Sequence, residues 1–430
     1  MGVSAPPHPP DAVDGREPYG RPHSSTEADV PTVVIVGGGY AGAHAARRAV
    51  RAGARHGVRV VVIGEGGRHP FAPRYAAVAA GRAPQGDLAA PLTSLLGDLG
   101  HRVEEATGRV VRIDHATRTV HLDDGRQQTY DALVVTAGAG VATPPVAGLA
   151  EHARPLGSVE DVVALRAELT APYAVGDGAV VVVGGGATGV QLAAEVAHSR
   201  PDRDVTLVEL SDQLLPGEPR SLGRAVGRLL RAAGVTVHLG RGVAAVDADG
   251  ARLDDGRRLP GIVVWAGGWR ADGNRLLPQA PTHDGRLAVG LDLEVAGYDG
   301  VFAAGDVASH RDALGRPLPM SAQIAAQAGE VAGHNAVTWL RGRPTKPAIL
   351  LELGRVLDLG GGVGVARMGP LRFTRRPLDR VPPLLHLAID VRHLWQVGRL
   401  HGVVDHAPGR SGDTAPSPPT TTRTPERSVR

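Results

Sequence analysis

Residues 33–42 read VVIVGGGYAG, and residues 180–189 repeat the pattern as VVVVGGGATG. Each stretch is a β-branched run, suited to a buried parallel strand, that passes directly into G-x-G-x-x-G and then into an Ala-rich helical sequence. That context gives each glycine a mechanical reading. The first (Gly37, Gly184) permits the tight turn, the second (Gly39, Gly186) lets the backbone approach a pyrophosphate, and the third (Gly42, Gly189) allows close helix–strand packing. The helix that follows offers free N–H groups and the positive end of its dipole to the phosphates. One such motif is weak evidence. Two of them, each between a strand and a helix, imply two dinucleotides and electron transfer between them.

The second half of the fingerprint is an acid on the ribose hydroxyls, at the end of the next strand and about 20 residues on. DVTLVE (204–209) supplies Glu209 in the second unit, and no arginine follows in ELSDQL (209–214). Nothing there would receive a 2′-phosphate, so NADH is favoured over NADPH. In the first unit VRVVVIGE (58–65) offers Glu65.

The duplication extends past the glycines. LDDGRQQTYDALVVTAG (122–138) parallels LDDGRRLPGIVVWAG (253–267). Asp-Gly favours a two-residue hairpin turn. In each copy a strand follows and ends in Ala-Gly (Ala137, Gly138; Gly267), where the chain can approach a cofactor or cross between domains. A third element, YDGVFAAGD (298–306), reads as a short strand ending at Gly305 and Asp306, with a helix expected just beyond. An acid there can accept hydrogen bonds from a ribityl chain.

At 430 residues the chain is long enough for two to three domains. Aromatics are only 3%, so Val, Ala and Leu must fill the cores. The net charge is +3, and the positive charge is almost all arginine, with Lys346 the only lysine. A coding bias towards Arg, Ala and Gly accounts for that balance, and no basic–aromatic cluster points to nucleic acid. The chain has no cysteine, which excludes disulfides, iron–sulfur ligation and thiolate redox chemistry. Electrons must therefore pass from a flavin directly to an acceptor. Residues 1–30 lack a signal-peptide pattern and read as a disordered arm; the Pro/Thr/Ser-rich residues 404–430 read as a disordered tail. No apolar run is long enough to span a membrane.

Together these residues resemble the two-dinucleotide-binding-domain flavoproteins, and within them the type II NADH:quinone oxidoreductases, over roughly residues 31–340. The resemblance implies that the first turn holds FAD, the second NADH, and the Ala304-Gly305-Asp306 element contacts the flavin. HPFAPRY (69–75) looks like the family segment beside the flavin ring. SAQIAAQ (321–327) looks like the A-Q-x-A-x-Q pattern of the quinone site, with Ala322, Gln323 and Gln327 in matching places. The two glutamines, four apart, share one helical face, and small residues between them leave room for a planar ring. This helix start could also favour the reduced, anionic flavin.

Two positions depart from the family. Gln191 stands where a glutamate is often associated with the nicotinamide–flavin stack, and the FAD-side ribose acid would align at Gly64 rather than Glu65.

The expected fold is α/β with two Rossmann-like domains. A discontinuous FAD domain (31–150 plus 285–340) carries an inserted NADH domain (151–284), followed by a C-terminal segment (341–403). In that segment residues 382–400 read as an amphipathic helix with Leu384, Leu387, Ala388, Val391, Leu394 and Trp395 on one face, His386, Asp390, His393 and Gln396 away from it, and Arg392 and Arg399 at the flanks. Such a helix fits a bilayer surface, the protein's own core, or a second copy in a homodimer; the three stay open. The resemblance implies NADH oxidation through non-covalently held FAD and reduction of a quinone without proton pumping, in the cytoplasm or at the inner face of the cell membrane, with Gln191, Gln323 and Gln327 at the reacting centre. Two alternatives remain at this stage: a soluble NADH reductase feeding a ferredoxin- or rubredoxin-type protein, and an NADH-responsive redox sensor in the manner of apoptosis-inducing-factor-like flavoproteins.

Overall fold

The strand expected at Val33 runs Thr32–Val36, buried at every residue, in the computed structural model, which describes residues 30–172 and 178–396. It is the centre of a five-stranded parallel sheet, ordered Val301–Ala303, Ala132–Val135, Thr32–Val36, Arg59–Gly64, Val103–Thr107. The second fingerprint strand, Val180–Val183, is likewise central to a parallel sheet ordered Arg154–Pro155, Ile262–Trp265, Val180–Val183, Val205–Glu209, Thr236–Leu239. Strands covered on both faces read as unbroken apolar runs, which is why neither fingerprint strand alternates.

The sequence duplication is an architectural one. Each Asp-Asp-Gly turn closes two strands of a three-stranded antiparallel sheet, and Gly125 and Gly256 share the same positive φ of 85°. The strand after each turn returns to sit beside its fingerprint strand. Just past the two Ala-Gly ends the chain crosses between the sheets, and the crossings pair with each other as an antiparallel ladder, Gly140–Val141 with Trp269–Arg270.

The Tyr40–Gly53 helix leaves the first turn and packs tightly on the Ala322–Leu340 helix. A methyl group at Gly329 or Gly333 would lie 2.2 Å from the carbonyl oxygen of Ala41 or Ala45 respectively, so the helices meet backbone to backbone.

After residue 340 the chain does not detach. An antiparallel sheet (Gly354–Asp358, Gly364–Met368, Leu371–Phe373) packs towards the second unit and precedes the Val381–Gln396 helix. Glu218, 9% exposed, holds Arg355 at 2.7 Å and Arg367 at 2.8 Å, tying this sheet to the nucleotide unit. The two guanidinium groups keep its carboxyl below the usual range against the opposing effect of burial.

The helix does not turn its apolar face wholly inward. Leu384 and Ala388 of that face are exposed and Leu387 and Val391 half-buried, whereas His393 is buried and His386 and Asp390 are half-buried. Polar partners waiting on the protein surface decide the orientation, as described below. The sequence-assigned arm up to residue 29, the tail at 404–430 and Arg399 lie outside the described residues.

Candidate active site

The two glycine turns match in detail. Gly37 and Gly184 both have φ +114°, which an L side chain rarely adopts, and a methyl group at either would lie 2.3 Å from the carbonyl oxygen of Thr136 or Ala266. A methyl at Gly42 would sit 1.8 Å from the Gly37 carbonyl oxygen, and one at Gly189 1.9 Å from that of Gly184. The middle glycines differ from these. Gly39 and Gly186 are the N-cap residues of their helices, adopt φ −73° and −71°, and would point a methyl into open space. No side chain caps either helix. Each turn therefore leaves a cradle above its second glycine, facing uncapped N–H donors, which fits a pyrophosphate.

The ribose acids are not equivalent. Strand register pairs Val36 with Ile63 and Val183 with Val208, so Gly64 occupies in the first unit the place Glu209 occupies in the second. Glu209 is buried, and its carboxylate accepts from the backbone N–H of Gly185 at 2.5 Å and of Ser211 at 2.7 Å. In the first unit that clasp is replaced by packing, since a methyl at Gly64 or Gly38 would meet Leu92 Cδ1 within 2.7 Å. Glu65 falls one residue later, at the exposed start of a turn through Gly66 and Gly67. Period-two alternation thus turns it away from the position Glu209 holds.

The strand of the third element ends at Ala303, short of the expected Gly305 (φ +79°) and Asp306, which lie in the turn beyond it. The helix does not follow directly: a short strand, Ala308–Ser309, and a loop intervene before Ala322. The loop folds back, so that the Ser321 N–H at the helix start reaches the Asp306 carboxylate. Burial raises the Asp306 carboxyl above its ordinary range, and Arg286 opposes that shift. Sequence reading missed Arg286 and His310. Buried His310 accepts from the Gly305 N–H at 3.1 Å, and desolvation lowers it to about 3, so it stays neutral. Arg286 donates to the Leu318 carbonyl at 3.1 Å, while its Nε and Nη2 have no protein partner among the described residues. Ala137 is exposed beside Gly138 (φ +75°), and Gly267 is exposed where a methyl would strike the Trp265 ring.

Between the two units lies a cleft lined by Pro73, Arg74, Arg82, Gln191, Glu195, Asp358 and His386. The 69–75 segment, the helix after the second fingerprint and the C-terminal segment all contribute to it. Gln191 donates to the Asp358 carbonyl at 3.3 Å. Glu195, 2% exposed, receives Arg82 through two hydrogen bonds, one of 2.6 Å from Nε and one from Nη2, and Arg82 also reaches Asp358 at 3.2 Å. These contacts hold Arg82 above its usual pKa. No local pattern in the sequence could have paired residues 113 apart.

Gln323 and Gln327 are half-buried on one face of their helix, as their spacing requires, and their amides are engaged by passing backbone. Gln323 donates to the Gly354 carbonyl at 2.9 Å and accepts from the Leu353 N–H at 3.1 Å. Gln327 donates to the Leu351 carbonyl and accepts from the Leu351 N–H, each at 3.0 Å. The pair works as a side-chain ladder that pins residues 351–354 along the helix, leaving Leu351 and Leu353 each 56% exposed. Ala322 is half-buried at the helix start, beside the Ser321 cap.

Two parallel sheets, each presenting a pyrophosphate cradle, define a two-dinucleotide oxidoreductase. The chain belongs to the pyridine nucleotide-disulphide oxidoreductase family, whose model matches residues 31–329, and within it to the type II NADH:quinone oxidoreductase branch. It is 33% identical to an NADH dehydrogenase-like protein of Mycobacterium tuberculosis over 362 residues, which is 78% of this chain and 88% of the relative. It is 27% identical to a type II NADH:quinone oxidoreductase of Staphylococcus saprophyticus over 402 residues, covering 86% and 96%. Among solved structures it resembles NDH2 from Plasmodium falciparum in complex with NADH, with TM-score 0.75, 15% identity, and coverage of 87% of this chain and 97% of that one. With no cysteine, the chain cannot perform the disulphide chemistry in the family's name.

Proposed function

We propose that this chain is an FAD-dependent oxidoreductase that oxidises NADH and reduces a quinone without pumping protons. The observation carrying this reading is the pair of matched glycine turns, each with an open second glycine, on two parallel sheets. We assign residues 31–150 and 285–340 to FAD, residues 151–284 to NADH, and the rest to a C-terminal segment. FAD, when bound, supplies the chemistry that accepts a hydride and passes electrons on. The protein binds and orients. The Gly37–Gly42 turn cradles one pyrophosphate, with Asp306 and the N-terminus of the Ala322–Leu340 helix facing the ribityl side. The Gly184–Gly189 turn and Glu209 hold NADH. Gln191, with Arg82, Glu195 and Asp358, closes the cleft between the nucleotides to water.

Quinone access fits the apolar lip of Leu351 and Leu353, which Gln323 and Gln327 hold in place. The C-terminal segment also carries exposed Ile349, Leu371, Leu384 and Ile389 and exposed Arg372, Arg375, Arg376 and Arg380. Apolar and cationic groups together suit an anionic bilayer surface, and this supports a position at the inner face of the cell membrane. No helix among the described residues is long and apolar enough to cross a membrane.

Two measurements test the reading. The first concerns nucleotide choice. Catalytic efficiency for FAD reduction should be at least ~100-fold higher with NADH than NADPH, because the Glu209 carboxylate repels a 2′-phosphate, and Glu209→Gln should narrow the gap about tenfold, or ~1.4 kcal/mol. The glutamine oxygen can replace only one of the two acceptors that now receive the Gly185 and Ser211 N–H groups, so the thermal stability of the variant is measured alongside. Equal efficiencies in the unmodified protein would remove Glu209 from this role.

The second concerns the acceptor. Gln323→Leu and Gln327→Leu each unpin residues 351–354 and should slow oxidation of the reduced enzyme by quinone about tenfold, a loss of ~1.4 kcal/mol. Reduction by NADH should change less than about twofold on the same scale. Stopped-flow spectroscopy with a quinone panel separates the half-reactions. Equal loss in both would make the ladder purely structural, and turnover with one-electron protein acceptors but no quinone would overturn the reading itself.

A further inference from the structure

Three imidazoles from three separate parts of the chain meet where the C-terminal helix touches the first glycine turn. His44, His69 and His393 are 4%, 0% and 8% exposed. His69 Nδ1 lies 2.9 Å from the Gly38 carbonyl oxygen, and its Nε2 lies 3.0 Å from His393 Nε2. His393 Nδ1 lies 3.5 Å from His44 Nε2, and His44 Nδ1 lies 3.3 Å from the Glu330 carboxylate. Tyr40 stacks on His393 with ring centroids 4.1 Å apart, and Phe71 meets His69 edge-on. These contacts explain why the helix buries His393 and leaves Leu384 outside.

The two ends of the chain fix its proton pattern. The Gly38 carbonyl only accepts, so His69 donates through Nδ1 and keeps a lone pair on Nε2. His393 must then donate through Nε2 and accept through Nδ1. His44 faces His393 Nδ1 through its Nε2 at 3.5 Å and the Glu330 carboxylate through its Nδ1 at 3.3 Å. The His69–His393 pair therefore holds one proton between its two Nε2 atoms. A further proton on His69 Nε2 would set two N–H groups against each other across 3.0 Å.

We propose that His44, His69 and His393 form a pH-operated latch that clamps the C-terminal helix to the FAD-side glycine turn and releases it in mild acid.

The surrounding groups agree with that direction. Burial lowers His69 to about 4, and burial with the neighbouring imidazoles lowers His393 to about 2. Burial raises the phenols of Tyr40 and Tyr75, the latter to about 12, so neither adds charge near neutrality. The hydrogen bond from His44 keeps Glu330 below its ordinary range. On the helix itself Asp390 faces Tyr40 and lies 3.7 Å from His386 and 4.0 Å from Arg74.

The sign follows from linkage. Both rings have lower pKa values when latched than when free, so the latch is at full strength above about 6.5, the free imidazole value, and weakens as pH falls towards 4. Between pH 7.5 and 5 His69 alone favours release by roughly 30-fold.

Amide hydrogen exchange across residues 381–396 of the FAD-loaded full chain, corrected for intrinsic rates, tests the latch at both pH values. Protection should fall at least ~10-fold from pH 7.5 to 5 in the unmodified protein. His69→Gln and His393→Gln cannot titrate. A variant that stays protected at pH 7.5 should lose most of the pH dependence, and one that is unprotected at pH 7.5 identifies that histidine as part of the clasp. Unchanged protection in the unmodified protein would overturn the proposal. So would full pH dependence in both variants, which would assign the effect to the His386–Asp390 pair.

Discussion

Gly39→Val is expected to give a folded, colourless protein. A side chain at this position meets no protein atom within 4 Å, and the backbone angles of an N-cap residue with φ −73° suit any amino acid. The branched side chain would instead occupy the cradle that the pyrophosphate needs. FAD affinity should fall by at least ~1000-fold, or ~4 kcal/mol, while far-UV circular dichroism stays unchanged. The equivalent change in the second unit, Gly186→Val, should leave a yellow protein that NADH no longer reduces. Together the two variants assign one nucleotide to each turn. Gly42→Ala provides the contrast, because its methyl would lie 1.8 Å from the Gly37 carbonyl oxygen and must disturb the fold. Absorbance at flavin wavelengths, flavin fluorescence titration and anaerobic stopped-flow reduction read these outcomes. A Gly39→Val protein that binds FAD normally would separate this turn from the cofactor.

Arg82→Met should carry the next largest effect, on stability. It leaves the Glu195 carboxylate, 2% exposed, without its counter-charge. Breaking a buried pair from one side costs about 3–5 kcal/mol, and the part of Arg82 that solvent already reaches lowers the expectation to about 2–3 kcal/mol. For a chain of this size the fall in Tm should be roughly 5 °C. Replacing both partners with methionine should recover much of the loss, since the cost arises from the stranded carboxylate and not from the absence of the pair. Chemical denaturation of the two single variants and the double variant closes the cycle. If Arg82→Met alone proves neutral, water must solvate Glu195 from the cleft, and the pair would then serve only to line it.

Both results bear on how the C-terminal segment works. Residues 351–358 touch the first unit through Gln323, Gln327 and Arg82 and the second through Gln191 and Glu218. This strap therefore bridges the two units. It also explains why the glutamine face is covered. The amides spend their hydrogen bonds on a passing backbone, and the apolar side chains of that backbone form the exposed edge.

Local constraints made much of this protein legible from its residues. The glycine turns follow largely from local sterics: a φ of +114° at Gly37, its carbonyl oxygen 1.8 Å from where a Gly42 methyl would be, and an Ala-rich helix that begins at once. The duplicated hairpins, the choice of Glu209 and the displacement of Glu65 by one position are equally local, because strand alternation and register act residue by residue. Tertiary structure alone decided what joins distant segments. Arg82 finds Glu195 across 113 positions, and His69 finds His393 across 324, with no spacing rule to announce either. The same holds for the last helix. Its hydrophobic stripe is plain in the sequence, but which side faces inward depends on what the rest of the fold offers. Here Tyr40, His44 and His69 offer stacking and hydrogen bonds to His393, so that polar residue turns in and Leu384 is left to solvent.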